Sequence, residues 1–399
     1  MTPPRPAATR VSPANRASVL RCISDRVTFT RMDVVRWAGL SLPTVTDVLE
    51  ALRDGGYVVP VGNGVSRGGR PPSLYQFNPR ARLAIGVQII APVVAVGLVD
   101  LQHNPVAVAQ GPFNIDEGEE ALWGSIRSGI SAALEASGLG LDRLIGIGVG
   151  VPGFIDKEAG VWWEFPRAAR IKNVPLRATL GQAYGAPVFL ENETNVCARA
   201  ELRCGGLQLK GDVLVLSCYE GLKASVVADG RVLSGHHGNF GSVGHFIVEE
   251  NGRLCPCGSH GCLEMYVSGY AFRERLGPGL LDRLQLTSDS PWLTHRVFQC
   301  AAEGDVSCRE VVEEVVPLMA YGFASLMRLT NIDQVVLSGA FAKGGDYLKN
   351  LLHEMIAGRL PRISRASMRI YLGAQLGLDV MVVSAAWPAI QSHLGIPAC

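Results

Sequence analysis

Three cysteines within eight residues, in the run C-P-C-G-S-H-G-C at Cys255, Cys257 and Cys262, restrict this chain more than any other feature. The spacing brings three thiolates onto one small knuckle, and Gly258 and Gly261 let the backbone fold tightly around a metal ion. A tetrahedral shell needs a fourth ligand. His245 stands ten residues before Cys255 and His260 lies inside the loop, so spacing alone leaves both open. A shell closed by four protein ligands has no position for substrate, and the ion, Zn²⁺, is expected to be structural. The competing reading is three buried free thiols, or one disulfide and a spare thiol. The remaining cysteines of the ten are scattered, which points to a reducing compartment and disfavours that alternative.

At 399 residues the chain is too long for one compact core, and two or three domains are expected. Charge divides unevenly along it. In residues 1–80 eleven arginines face five acids, a net of +6, which leaves −5 to the rest of a chain whose formal charge is +1. A basic N-terminal module on an acidic body is the electrostatic footprint of a protein that meets nucleic acid at one end. A chance excess on a solvated surface is the alternative that charge alone leaves standing. No apolar run reaches transmembrane length, since the longest, near Ile145–Val151, is interrupted by glycines. The start, MTPPRPAATR, lacks the apolar stretch of a signal peptide, and residues 1–13 read as a disordered, proline-rich tail. A cytoplasmic protein, associated with the nucleoid when on DNA, is expected.

Three helical segments follow the tail. Val19, Leu20 and Ile23 give the first an apolar stripe. The second starts at Thr30, with Asp33 three residues on as in a capping box, and stops at Gly39. Ser41 caps the third, Pro43 is tolerated in its first turn, and Val45, Val48, Leu49 and Leu52 recur at helical spacing. Two helices joined by Gly39-Leu40-Ser41 have the helix–turn–helix signature. Strand-like runs at Tyr57–Val61 and Ser73–Phe77 flank a turn-rich loop with Arg67 and Arg70, which reads as a β-wing. From Leu83 strands alternate with helices. Strand pairs at Leu83–Val87 with Val93–Val99, and at Val213–Ser217 with Ala224–Val227, look like two copies of one arrangement. Two similar α/β lobes facing a cleft would result, with ligands at strand ends between them.

The N-terminal stretch from NRASVL to GRPPSLYQFNP resembles the DNA-binding module of regulators of the ROK (repressor, ORF, kinase) family. The later segments GIGVGVPGFID, ENETN and GSVGHFIVEENGRLCPCGSHGCLE resemble the ROK sugar-kinase domain. The resemblance covers nearly the whole chain in the family's order. It implies an α/β fold of an N-terminal winged helix–turn–helix (1–80), then a two-lobed actin-like ATPase domain with a zinc knuckle. The first lobe would span 81–195 and the second 196–399, with the C-terminal helix returning to the first. It also implies His245 as the fourth metal ligand, beside Cys255, Cys257 and Cys262, with His260 a bystander.

In ROK kinases a segment resembling N-D-x-N supplies an Asn to a sugar hydroxyl and an Asp general base. The matching residues here are Asn192, Glu193, Thr194 and Asn195. A base displaced by about 1 Å loses on the order of a hundredfold in rate, so a carboxylate one methylene longer is a poor substitute. Ser242 replaces a sugar-binding Glu, whereas Glu264 matches a retained sugar contact and His245 presents its second ring nitrogen to ligand. Asn192, Glu193, His245 and Glu264 are thus the implied ligand-binding set. A pocket retuned to another sugar or sugar derivative is expected, against a vestigial pocket kept for structural reasons.

Phosphate cradles need glycines, whose backbone N–H groups approach an anion without Cβ interference. The family's D-x-G-G-T-like turn becomes Gln88-Ile89-Ile90-Ala91-Pro92, which loses the Asp and both glycines and removes a donor at Pro92. The second cradle becomes Tyr219-Glu220-Gly221-Leu222-Lys223-Ala224-Ser225, with one of four glycines left. Leu337-Ser338-Gly339-Ala340 only partly matches the adenosine-side glycine pair. Kinase activity is therefore not expected, and Lys223 reads as a solvated surface group.

For DNA, Ser41, Pro43, Thr44 and Thr46 lie at the exposed start of the third helix, where major-groove contacts cluster. Thr30 and Arg31 are placed for phosphates, and Arg67 and Arg70 for the minor groove or backbone. The expected protein is a transcriptional regulator, a repressor, that binds double-stranded DNA as a homo-dimer or tetramer and answers to a sugar-like effector. The alternatives are an active ATP-dependent sugar kinase and a ligand-independent regulator built on a zinc-stiffened scaffold.

Overall fold

Hydroxyl side chains set the starts of the first three helices. Ser12 accepts from the amide of Asn15, Thr30 from that of Asp33, and Ser41 from that of Thr44. The helices α1 (Pro13–Ile23), α2 (Arg31–Ala38) and α3 (Leu42–Asp54) follow directly. Gly39 between α2 and α3 has φ +65°, a left-handed value that closes the short turn at no steric cost. The strands β1 (Val58–Asn63) and β2 (Ser73–Phe77) pair antiparallel with Val58 opposite Phe77. The structure, a computed structural model, describes residues 11–64, 71–166, 168, 170–207, 209–218, 221–235, 238, 240–287, 290, 292–374 and 376–396. Arg67, Arg70, Tyr219, Glu220 and residues 1–10 of the expected tail lie outside these, and the last residue of the expected tail, Pro13, is already the first of α1.

Two five-stranded sheets form the body. The first is assembled from β3 (Leu83–Ile90), β4 (Val93–Asp100), β5 (Pro105–Pro112), β6 (Leu144–Val151) and β10 (Val188–Asn192), in the order β10-β6-β3-β4-β5. Between β6 and β10 a small sheet of β7 (Phe154–Asp156), β8 (Val161–Glu164) and β9 (Lys172–Val174) stands at the cleft mouth. The second sheet joins β11 (Val213–Cys218), β12 (Leu222–Ala228), β13 (Arg231–Val232), β14 (Gln334–Gly339) and β15 (Arg369–Leu372), in the order β13-β12-β11-β14-β15. Each sheet is an antiparallel meander of three strands with two parallel strands added beside the first. The duplication legible in the strand runs is therefore a duplication of topology. Every residue of β3 is buried, because both faces of the sheet are covered.

The 195/196 lobe boundary expected from the sequence falls inside a helix, Glu193–Cys204, which runs on because Asn192 caps it and nothing interrupts its hydrogen bonding. A second crossing is made by the C-terminal helix Leu378–Leu394, which packs on β3, β4 and β6 of the first lobe. Glycine is required where they meet. A Cβ on Gly86 would stand 1.9 Å from the Val382 carbonyl oxygen, and one on Gly148 1.8 Å from that of Ala385.

The N-terminal helices do not form a core of their own. Val19, Leu20, Ile23, Leu49 and Phe77 belong to one buried cluster with Ala84, Val99 and Leu101 of the first lobe and Val383, Ala386, Ile390 and Leu394 of the C-terminal helix. Buried side chains the size of Ile390 and Leu394 contribute on the order of 2 kcal/mol each. Polar contacts reinforce the seam: Tyr57 Oη lies 2.8 Å from His393 Nε2, Arg21 donates to the Gly395 carbonyl at 3.0 Å, and Gln102 to that of Ser24 at 2.6 Å.

Burial, with Arg16 and Arg82 close by, depresses the His393 pKa to about 4. His103 and His295 are likewise held at about 4 by burial, beside Arg203 and Lys343. These rings stay neutral in the folded chain but protonate near pH 6.5 when it unfolds, so the unfolded state binds more protons and stability falls as pH drops from 6.5 towards 4. His393→Gln is expected to flatten that fall by one proton in chemical denaturation measured at pH 7.5, 6 and 5. An unchanged slope would place the His393 titration elsewhere.

Candidate functional site

Between the lobes lies a cleft of about 490 Å³. Ile90, Ala91 and Pro92 at the end of β3, and Phe154 on β7, form part of the first-lobe wall. The opposite wall includes Ser217, Gly221, Leu222 and Lys223 from the β11–β12 hairpin, with Ser242, His245 and Glu264 beyond.

Glu193 opens the interlobe helix and faces the cleft, where its Oε1 stands 3.1 Å from Lys223 Nζ. Lys223, read from the sequence as a solvated surface group, is thus an ion-pair partner inside the cleft, brought there by the register of β12. Asn192 serves the fold instead of lining the cleft: its side-chain oxygen accepts from the Thr194 amide at 3.0 Å and its nitrogen donates to the Gly153 carbonyl at 2.9 Å. Asn195 is also buried, donating to Glu191 at 3.0 Å and accepting from Ser225 at 2.9 Å.

Glu191 is the centre of a charged network that the sequence reading missed. Its carboxylate receives Lys157 at 2.9 Å and Arg199 at 3.3 Å, and Lys157 also reaches Ser234 at 3.0 Å. Burial alone would raise the Glu191 pKa, but the Lys157 and Arg199 charges and the Asn195 amide hold it below the usual carboxylate range. Through Ser225 and Ser234 the network ties the two lobes together. A charged residue in the apolar run VFLEN was the only trace of it in the sequence.

Glu264 is buried at the cleft wall and accepts from the Leu222 amide at 3.0 Å. A Cβ on Gly221 would come within 2.8 Å of the same carboxylate oxygen, so the one glycine surviving in the second phosphate-loop segment makes room for Glu264. On the other lobe, Ile90, Ala91 and Pro92 present apolar surface where a phosphate cradle would need glycines.

Beside Glu264, His245 Nδ1 lies 3.8 Å from Cys255 Sγ, and Cys257 Sγ lies 3.7 Å from Cys262 Sγ. The four ligand atoms fall within 4.8 Å of one another, a group that could hold a metal ion. His260 is not part of it, its Nδ1 lying 3.0 Å from the Gly252 carbonyl oxygen. Gly261 is needed because a Cβ there would sit 1.7 Å from the Glu249 carbonyl oxygen. Burial pushes the Cys255 thiol up and that of Cys262 to about 11, whereas at Cys257 hydrogen bonds from Ser259 and the other two cysteines outweigh burial and bring it down, so the two raised sulfurs ionise only against a cation.

At the other end of the molecule, Ser41, Leu42 and Pro43 are exposed at the start of α3, while Thr44 Oγ1 lies 2.8 Å from Ser41 Oγ and Thr46 donates to the Leu42 carbonyl at 2.9 Å. The Thr30 hydroxyl is occupied by the capping box, 2.7 Å from Asp33, and the Arg31 guanidinium lies 5.6 Å from the Tyr75 ring centroid. No helix among the described residues is long and apolar enough to cross a membrane.

Two duplicated sheets about a cleft, with a helix crossing between them, define the actin-like fold of sugar kinases. The ROK family model matches residues 84–391, and the chain belongs to the ROK family. It is 30% identical over 356 residues to the xylose repressor of Caldicellulosiruptor bescii, covering 88% of this chain and 89% of that one. It is 28% identical over 317 residues to the glucokinase of Halalkalibacterium halodurans, covering 77% of this chain and 94% of the relative. Among solved structures, a ROK family transcriptional regulator described as a homolog of the Escherichia coli MLC protein superposes with a TM-score of 0.75 at 23% identity, over 96% of each chain. The kinase relative thus covers 77% of this chain and the regulator structure 96%.

Glu264→Ala leaves the buried Leu222 amide without its acceptor, which is expected to lower stability by about 1–3 kcal/mol in urea denaturation. Glu264→Gln, which keeps an acceptor oxygen, is expected to cost less. Equal losses in the two variants would mean that the hydrogen bond is not what Glu264 contributes.

Proposed function

We propose that this chain is a cytoplasmic DNA-binding transcriptional repressor whose sugar-kinase-like body senses a sugar or sugar derivative and no longer transfers phosphate. One observation carries the reading. The sugar side of the cleft keeps Glu193, His245 and Glu264, while the phosphate side is walled by Ile90, Ala91 and Pro92 and its base position is bound to Lys223. The xylose repressor, matched over 88% of this chain and 89% of its own length, supports the regulatory half.

The N-terminal helices and hairpin are the winged helix–turn–helix. The start of α3 enters the major groove with Ser41, Pro43, Thr44 and Thr46, Arg31 and the backbone near Thr30 meet phosphates, and Arg67 and Arg70 reach the backbone or minor groove. Asn192 acts on the effector site by capping the helix that carries Glu193. Because the head shares its core with the first lobe, closure of the lobes on an effector moves the head relative to the second lobe. In a homo-dimer or tetramer that shift changes the spacing of the two heads, and a palindromic operator follows from the symmetry. The effector must bind the two states with different affinity for this to regulate.

The metal is Zn²⁺ in a closed, structural site formed by His245, Cys255, Cys257 and Cys262. With Zn–S bonds of about 2.3 Å, a tetrahedron has S···S edges of about 3.8 Å, close to the 3.7 Å between Cys257 and Cys262. One zinc per chain is expected by elemental analysis of protein purified without chelator. Cys257→Ser is expected to lose it and to lower the melting temperature by about 5 °C or more. A metal-free wild-type chain of full stability would remove zinc from the reading.

Isothermal titration of the purified protein with sugars and with ATP tests the functional reading. Binding of a sugar with no binding of ATP is the expected result. Tight ATP binding with phosphoryl transfer would establish an active kinase, the activity of the glucokinase relative. Failure of every sugar to bind would leave a ligand-independent regulator.

A further inference from the structure

We propose that the compartment vacated by phosphate is a second sugar subsite, so that the effector is a disaccharide; this rests on the sugar-sensor reading above. Ser217 and Lys223 are direct partners in the antiparallel β11–β12 pairing and therefore share a face of the sheet. Both line the cleft. Ser217 is 2% exposed, and its hydroxyl has no hydrogen-bond partner among the described residues. Buried hydroxyls in folded proteins are almost always paired, and an orphan lining a cavity marks where a ligand group completes the structure. Lys223 has three N–H donors, one of them directed to Glu193, and so can serve a ligand oxygen as well.

The other side of the compartment is Ile90, Ala91 and Pro92, which offers carbon rather than donors. One wall is thus apolar, and the facing wall has a hydroxyl, an ammonium and a carboxylate. A pyranose ring has the complementary shape, with a C–H face and a rim of hydroxyls. A phosphate is less well served, because the Lys223 charge is already offset by Glu193 and the side chains of Ile90, Ala91 and Pro92 donate no hydrogen bonds. The size agrees: a cleft of about 490 Å³ exceeds what one pyranose fills and lies within the range that encloses a two-ring ligand.

The test is isothermal titration of the full chain with glucose, xylose, maltose, cellobiose, xylobiose, isomaltose and gentiobiose. At least one disaccharide is expected to bind about tenfold or more tighter than its own monosaccharide, the gain of one or two added hydrogen bonds and the ring's apolar face. Ser217→Ala is expected to remove most of that gain, and Lys223→Met to do the same. A monosaccharide that binds as tightly as every disaccharide containing it would overturn the second subsite and leave the sensor intact. A disaccharide gain untouched by Ser217→Ala would place the second ring elsewhere and equally overturn the proposal. If none of the seven sugars binds, the disaccharide proposal fails, while the sensor reading then stands or falls on titration with sugar derivatives such as amino sugars and sugar phosphates.

Discussion

The contact on which the architecture depends is backbone against backbone: the C-terminal helix lying on Gly86 of β3 and Gly148 of β6. At these two positions a methyl group would overlap the carbonyl oxygens of Val382 and Ala385. Such an approach is available only to glycine, and it brings the helix so close that its other face can be shared. That face completes the core of the N-terminal head through Val383, Ala386, Ile390 and Leu394. The last residues of the chain thus hold the first helices against the first lobe. A head bound in this way shares its core with the first lobe.

The second organising element is charge buried between the lobes. Glu191 meets Lys157 and Arg199, and Arg199 also reaches the Ser384 carbonyl at 3.5 Å. A buried carboxylate with two cationic partners and two amide donors is fully satisfied, whereas removing any one partner leaves charge exposed to low dielectric. The network links the interlobe helix to the first lobe and to the C-terminal helix. The interlobe helix that carries Asn195 and Arg199 also presents Glu193 to the cleft, so the cleft wall and the charged network are adjoining turns of one helix.

Much of the fold was legible because it rests on local rules. The hydroxyl caps at Thr30 and Ser41, the glycine at 39 and the apolar spacing of α3 specify helices without reference to anything distant. The paired strand runs announced two similar lobes, since strand propensity and turn residues act over short range. The cysteine cluster was legible for the same reason, with Cys255, Cys257 and Cys262 in one loop. Substitutions in the phosphate-loop segments could be read directly because a missing glycine has a local consequence.

The sequence by itself determined the order of the parts, the two lobes and the residue types offered to a metal and to a sugar. Only the tertiary structure decided how they are used. It brought His245 rather than His260 to the cysteines, turned Asn192 into a cap, and made Lys223 the partner of Glu193 although thirty positions separate them. It also merged the head with the first lobe, against the separate module that a boundary near residue 80 implied. These outcomes depend on strand register and on close approaches between elements far apart in the chain. Neither leaves a periodic trace in the sequence, because each is fixed by the packing of surfaces that exist only after the chain has folded.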